Sequence, residues 1–258
     1  MNPIRIISLN TWKCDGDYPH RIKWMAQELQ SLNPGIIGLQ ECFASEEGKV
    51  NTLEFLSQEL GMNFHFLPGR KKMRLFNDKW VESDSGLGIL TTFPILESRE
   101  WELPPHPEDP DRKVLDLEIS IPNSLNIRIL NTHLTHLSKP SLFKKSQFDY
   151  LGKILSAYPE NPSLILGDFN TEITSIDFHE FLHKNQLRDT DPSDIGLESR
   201  NTLLEAQLQG KNIAVDYILS KGFPPGSFRN SCIVLNKADP MFKVYPSDHF
   251  GVMTELYS

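Results

Sequence analysis

The chain has 258 residues, with Lys+Arg 26 against Asp+Glu 34, a formal net charge of −8. Hydrophobic residues make up 39% and charged residues 23%, the balance of a globular chain long enough to bury a core without disulfide or metal staples. The acidic excess argues against general electrostatic binding to duplex nucleic acid, which rests on phosphate neutralisation, and no apolar run approaches the ~18 residues of a membrane span.

In chain order, residues 4–9 form a β-rich run ending at Asn10. Ile22, Met25, Ala26, Leu29 and Leu32 then recur at helical spacing, and Pro34-Gly35 stops that helix. IIGLQ at 36–40 reads as a buried strand, and a second amphipathic segment runs from about Val50 to Leu60, ended by Gly61. Strands are expected at 62–67, 86–91, 114–120, 126–132 and 163–167, with a helix around 142–157 presenting Phe148, Leu151 and Leu155. Residues 174–184 read as helix, and 213–219, 229–235 and the final FGVMTEL as extended chain. Two loop-rich stretches read as surface insertions: 69–85, with Arg70, Lys71, Lys72 and Arg74, and 102–113, rich in prolines and acids.

No repeat, low-complexity tract or Gly/Ser linker divides the sequence. One α/β domain over residues 1–258, with two sheets and outer helices, is therefore expected. Cys14, Cys42 and Cys232 are odd in number and lack metal-ligand spacing, so they read as free thiols of a reducing compartment. The first residues lack the charged and apolar regions of a signal peptide, so a cytoplasmic location is expected. No obligate protein partner is evident.

The informative pattern is where polar residues interrupt apolar strands. Asn10, Glu41, Asn131 with His133, Asp168 with Asn170, Asp216, and Asp248 with His249 all fall at strand ends or in the turns after them. Loops at one end of a rigid sheet commonly carry catalytic groups. The collection holds carboxylates, amides and imidazoles and no serine or cysteine nucleophile flanked by a base, and hard oxygen donors of this kind suit Mg²⁺ or Mn²⁺.

Each has a plainer reading beside the functional one. Glu41 follows a buried strand and could be a metal ligand or a capping acid. Asp168 and Asn170, two apart, could address one site, where the acid holds and deprotonates a water and the amide donates to a phosphoryl oxygen; an Asx-turn fits equally well. Asp248 could reach a metal while His249 faces the substrate. Asp216 lies inside Ala214-Val215-Asp216-Tyr217-Ile218-Leu219, where a carboxylate is costly unless partnered, and pairing with His249 would orient the imidazole. His133 could donate to phosphate, and Arg112 could contact it, although a surface Arg reads almost as well. His136, His106, His65 and His179 read as structural.

Taken in order, Leu9-Asn10-Thr11-Trp12, Leu39-Gln40-Glu41, Ser85-Gly86-Leu87-Gly88-Ile89-Leu90, Asn131-Thr132-His133-Leu134, Gly167-Asp168-Phe169-Asn170, Val215-Asp216-Tyr217-Ile218-Leu219 and Ser247-Asp248-His249 resemble the endonuclease/exonuclease/phosphatase superfamily with the DNase-I-like fold. Its members include apurinic endonucleases, deadenylases, tyrosyl-DNA phosphodiesterases, sphingomyelinases and inositol-polyphosphate 5-phosphatases. The resemblance spans residues 9 to 249 and implies a four-layered α/β sandwich of two packed mixed β-sheets flanked by helices. It also implies Mg²⁺-dependent hydrolysis of a phosphate ester, with Mn²⁺ as the alternative ion. By the same resemblance, Glu41 is the principal metal ligand, supported by Asn10 and Asp248, and Asp168 positions or deprotonates the attacking water. Asn170 and His133 stabilise the transition state, and His249, paired with Asp216, contacts the scissile phosphate, as base in some members and as charged stabiliser in others. Asp84 is the nearest candidate for the second acid with which some nucleases orient the first histidine.

For the substrate, nucleic acid is slightly favoured, because 69–85 interleaves its cations with Phe76 and Trp80 as single-strand channels do. A phospholipid or inositol phosphate is the alternative, and a non-catalytic binding module is the third reading. The full set of site residues argues against that third reading.

Overall fold

The computed structural model describes residues 3–122, 126–137, 139, 141–191 and 200–257. The first half runs β1 (Ile4–Asn10), α1 (Tyr18–Leu32), β2 (Ile36–Ser45), β3 (Val50–Asn51), α2 (Thr52–Leu60), β4 (Asn63–Leu67), β5 (Lys72–Phe76), β6 (Lys79–Thr91) and β7 (Ile95–Glu102). The second runs β8 (Lys113–Ile119), β9 (Ile127–His133), α3 (Ser141–Ser156), β10 (Ser163–Asp168), α4 (Ile176–Asn185), β11 (Arg188–Asp189), α5 (Leu204–Leu208), β12 (Asp216–Lys221), β13 (Phe228–Val234) and β14 (Gly251–Leu256). One sheet has the order β13-β14-β1-β2-β6-β4, with β3 on β2 and β5 on β6, and the other has the order β11-β12-β10-β9-β8-β7. Both are mixed. The parallel pair is β1–β2 in the first and β9–β10 in the second.

Period-2 alternation sorts each central strand between two cores. Ile6, Ile36, Leu164, Leu166, Ile129 and Ile218 fill the layer between the sheets. Their sequence neighbours Ile7 and Ile37 face the other way, onto Ile22, Met25 and Leu29 of α1. Ile165, Leu130 and Leu219 pack on Phe148, Leu151 and Phe178 of α3 and α4. The result is helix, sheet, sheet, helix, the four-layered sandwich that the family resemblance implies. Each fully buried aliphatic side chain in these layers contributes about 1.5–3 kcal/mol.

Helix ends follow local chemistry. The Asn51 side chain accepts from the N–H groups of Leu53 and Glu54 at the start of α2, and Gly61 at φ 64° ends it. Among the described residues no helix is long and apolar enough to cross a membrane.

Three expectations need correction. The stretch 69–85 is not an unstructured loop: Lys72–Phe76 pairs with β6 as a hairpin, turned at Asn77-Asp78 with φ of 49° and 60°. Such left-handed Asn/Asp pairs are a hairpin signal, masked here by the surrounding charge. Strand β2 does not stop at residue 40 but continues to Ser45, its register to β6 shifting between Leu39 and Cys42. The extended segment expected from residue 213 begins at Asp216, so that acid opens the strand rather than interrupting it. Strand β7 has no signature in the sequence because, at the sheet edge, its positions are exposed or half-buried and form no apolar run.

Candidate active site

The layer between the sheets changes character along the strands. The face of β10 that carries Leu164 and Leu166 ends in Asp168, that of β9 passes from Ile129 through Asn131 to His133, and Ile218 of β12 is followed two residues back by Asp216. Asp168 is in register with His133 on one side and with Asp216 on the other. Three adjacent strands therefore deliver an acid, an imidazole and an acid at one level, facing the end of β1 at Asn10.

Asp168, 1% exposed, is the hub. Asn10 Nδ2 donates to its Oδ2 at 3.1 Å and the Asn170 N–H to its Oδ1 at 2.9 Å. His133 Nε2 lies 3.3 Å, and His249 Nε2 3.9 Å, from Oδ2. The Asn170–Asp168 bond closes an Asx-turn, with Asn170 in the left-handed region at φ 49°. The Asn170 side-chain amide donates to the Leu134 carbonyl at 3.0 Å, leaving its second hydrogen for a ligand. Burial first, then the charge of Asp216, pushes the Asp168 carboxyl up to about 7.

His249 Nδ1 donates to Asp216 Oδ2 at 2.9 Å. Burial alone would lower this imidazole, but the Asp216 charge and hydrogen bond outweigh it and raise His249 to about 10. His133 moves the opposite way: burial, then the Arg112 charge, holds it well below the ordinary histidine range. The two histidines that flank Asp168 thus differ in charge at neutral pH.

Glu41 occupies the irregularity in β2 at φ 55°, an unfavourable backbone for a non-glycine residue. Its Oε2 lies 3.0 Å from Lys13 Nζ, and its Oε1 4.0 Å from His133 Nδ1. Burial raises the Asp248 carboxyl above its ordinary range, and Glu41 adds to this against the pull of His249. Ser247 Oγ donates to the Asn10 carbonyl at 2.7 Å, tying the Asp248-His249 turn to β1.

The structure thus brings Asn10, Glu41, His133, Asp168, Asn170, Asp216, Asp248 and His249 to one end of the sandwich. Arg112 borders the site but is engaged: its Nε donates to Asp109 at 2.8 Å and its Nη1 to the His133 carbonyl at 3.5 Å. Asp84 stands opposite Ala44 within the sheet. Among the described residues the acids within 4.0 Å of His133 are Glu41 and Asp168.

Three basic residues of the site escaped the sequence reading. Lys13 pairs with Glu41, from a turn whose backbone gives no residue pattern. Buried Lys144 of α3 donates to the Asn170 carbonyl at 2.5 Å. A signal for it existed, since Lys144 shares the helical stripe of Phe148, Leu151 and Leu155. Arg21, also buried, donates to the carbonyls of Thr11, Trp12, Lys13, Asp15 and Pro246 and so fixes the loops that carry Lys13 and Asp248.

The oxygen donors fit a hard divalent cation. Glu41, Asp248 and the Asn10 side-chain oxygen are hard donors of the kind such an ion takes, and Glu41 is near enough to Asp248 for its charge to raise that carboxyl, although Asn10 Oδ1 also accepts from the Trp12 N–H at 3.0 Å. A second grouping, Asp168, Asp216 and His249, offers one ligand atom each within 4.8 Å of one another, but the Asp216–His249 hydrogen bond already occupies two of its members.

No curated protein matches the chain in sequence. Solved structures do match in fold. An endonuclease/exonuclease/phosphatase from Beutenbergia cavernae DSM 12333 superposes with a TM-score of 0.78 at 16% identity, covering 99% of this chain and 72% of that one. The human Nocturnin catalytic domain with bound sulfate anion gives 0.74 at 18% identity, covering 99% and 94%. A mannosyl-6-phosphatase from Bacteroides thetaiotaomicron gives 0.70 at 18% identity, covering 99% and 100%. At these identities the likeness concerns the fold. A family model decides membership: it matches residues 7–249, and the chain belongs to the Endonuclease/Exonuclease/phosphatase family.

Proposed function

We propose that the protein is a divalent-metal-dependent phosphoric ester hydrolase in which water attacks phosphorus. The observation that carries this reading is the placement of Asp168 in register between His133 and Asp216, with His249 Nε2 at 3.9 Å. An acid held by several donors, beside an imidazolium oriented by a second acid, suits a water nucleophile better than a covalent one.

In this reading Asp168 orients the attacking water and takes its proton, while Asn10 and Asn170 hold its two carboxylate oxygens in place. His249, kept cationic by Asp216, faces the phosphoryl oxygens and offsets their growing charge. The free amide hydrogen of Asn170 and the neutral imidazole of His133 bind the same group. Glu41, Asp248 and Asn10 would hold Mg²⁺ or Mn²⁺, which supplies Lewis-acid stabilisation of the phosphoryl oxygens when bound.

A nucleic acid strand or nucleotide is the favoured substrate, supported by Arg70, Lys72 and Arg74 bordering the cleft beside Glu41. A lipid surface is the second reading, favoured by the outward face of the same hairpin, where Met73, Leu75 and Trp80 are each more than half exposed. The test is a panel of single- and double-stranded DNA, RNA, sphingomyelin, a phosphoinositide and bis-p-nitrophenyl phosphate, with Mg²⁺, Mn²⁺ or EDTA. Chelator-sensitive release from one class is expected and names the substrate. Silence across the panel with both metals overturns the enzymatic reading.

A further inference from the structure

A cleft opens beside Glu41 and His133, floored by Ser85-Gly86-Leu87 of β6 and walled by Leu67-Pro68-Gly69. Its two walls are built for close approach. A Cβ on Gly69 would stand 2.0 Å from the Ser85 carbonyl oxygen, and one on Gly86 2.3 Å from that of Leu67. Glycine at both positions lets the backbones meet, so the cleft is part of the fold rather than a gap between side chains.

The charge inside it does not balance. Three acids line the cleft and each has a cation: Glu41 with Lys13 at 3.0 Å, Asp109 with Arg112 at 2.8 Å, and Asp111 with Arg70 at 3.4 Å. Three further cations, Lys72, Arg74 and Lys113, also line it, and among the described residues none has a carboxylate within 4.0 Å. Arg74 donates to the carbonyl and Oγ of Ser83, and Lys113 to the Pro68 carbonyl at 3.1 Å. Both are thereby held in place with charge to spare, and Lys72 remains free to move. Burial raises the Asp84 carboxyl, and Lys71, Arg74 and Lys113 are close enough to pull it back down, but among the described residues it forms no ion pair with any of them.

A chain of net charge −8 that gathers three unpaired cations into a preformed cleft has there a seat for an anion. The cleft also shares Glu41 and His133 with the candidate active site, so a group seated in it lies beside the reacting one. We propose that the substrate carries a second phosphate group, and that Lys72, Arg74 and Lys113 bind it while the first is hydrolysed. This rests on the phosphoesterase reading of the site and adds a specificity to it: esters with two phosphates are preferred to those with one.

Nucleotides and sugar phosphates can both supply such a group, so the test uses matched pairs. Turnover of adenosine 3′,5′-bisphosphate is compared with that of adenosine 5′-monophosphate, and fructose 1,6-bisphosphate with fructose 6-phosphate, all with Mg²⁺. In at least one pair kcat/KM is expected to favour the bisphosphate by about tenfold, the value of one or two charge-assisted contacts, and that pair identifies the source. Lys72→Glu, at an exposed side chain without hydrogen bonds, should bring the ratio close to one, chiefly through KM. A ratio near one in the native protein, or one unchanged by Lys72→Glu, overturns the proposal. Calorimetric titration with adenosine 3′,5′-bisphosphate and, separately, fructose 1,6-bisphosphate separates the two readings if neither pair turns over. Binding that Lys72→Glu weakens would then uphold the anion seat, and the absence of binding would overturn it.

Discussion

His249 Nδ1 stands 2.9 Å from Asp216 Oδ2, and the acid that makes this contact is fully buried at the first position of β12. Two residues 33 apart in sequence are joined because β12 and β14 both begin at the same end of the sandwich. Among the described residues the second oxygen, Asp216 Oδ1, has no hydrogen-bond partner. Its charge is therefore spent on the imidazole rather than shared with backbone donors, which is why His249 reaches about 10 despite burial that would lower it.

Asp216→Asn should reverse that balance. The amide keeps the shape and removes the charge, so His249 is expected to titrate near or below its ordinary 6.5 instead of about 10, read by NMR of the ring protons. The sign for stability follows from the raised folded-state value: the pairing contributes in full below 6.5 and is lost as pH rises through about 10. The difference in Tm between native protein and variant should accordingly shrink at alkaline pH. Turnover at neutral pH is expected to fall by about 10²–10⁴-fold. An unchanged titration would show that Asp216 does not govern His249.

Asp168→Asn should separate activity from stability. Asp168 and Asp216 are buried cross-strand partners, and burial together with the Asp216 charge makes the Asp168 carboxylate costly. A neutral amide removes the repulsion and still accepts from the Asn170 N–H, and that gain outweighs the Asn10 bond lost where its NH₂ replaces Oδ2. Turnover should drop by about 10²-fold or more, while Tm holds or rises by about 2–4 °C. A variant that is both inactive and several degrees less stable would mean that Asp168 is chiefly structural.

These residues were legible in the sequence because each breaks an apolar strand at its end. The periodicity that exposes them also shows which face they share, as with Leu164, Leu166 and Asp168. The same reasoning placed Asn131 beside His133 without its role. Asn131 is a staple between the sheets: its Nδ2 donates to the Leu39 and Gly88 carbonyls, both at 2.8 Å, and its Oδ1 accepts from Gln40 Nε2 at 2.7 Å. A polar residue at a buried strand position looks alike whether it serves chemistry or packing, since only the partner across the layer distinguishes them. Lys13 and Arg21 were illegible for another reason. Their importance lies in loop carbonyls and in a turn at φ 56° and 43° (Trp12, Lys13), and backbone geometry of that kind has no residue signature.

Arg21 should prove indispensable without touching substrate. Its fork reaches five carbonyls from two loops, and it has no carboxylate partner within 4.0 Å among the described residues. Arg21→Ala leaves those acceptors, two of them in fully buried bonds, to water or to nothing, at a cost of about 2–4 kcal/mol in chemical denaturation. Arg21→Lys keeps the charge but cannot span the fork and should recover little of it. Limited proteolysis should cut both variants within residues 11–15 before the native protein. Full rescue by lysine would mean that charge rather than geometry holds the loops.

Glu41 combines a carboxylate with a backbone that disfavours it, and two substitutions separate these properties. At φ 55° the side chain leaves the irregularity in β2 to reach Lys13 and His133. Glu41→Gln keeps the strain and removes the charge; Glu41→Gly removes both. If the carboxylate is the principal metal ligand, both variants should need about tenfold more Mg²⁺ or Mn²⁺ for half-saturation in calorimetric titration. Without metal the glycine variant should be more stable than the glutamine variant by about 1 kcal/mol, because glycine enters the left-handed region freely. Native metal affinity in both variants would remove Glu41 from the ligand set. Equal stability of the two would show that the irregularity in β2 carries no strain, and that the left-handed turn persists there at no cost to the fold.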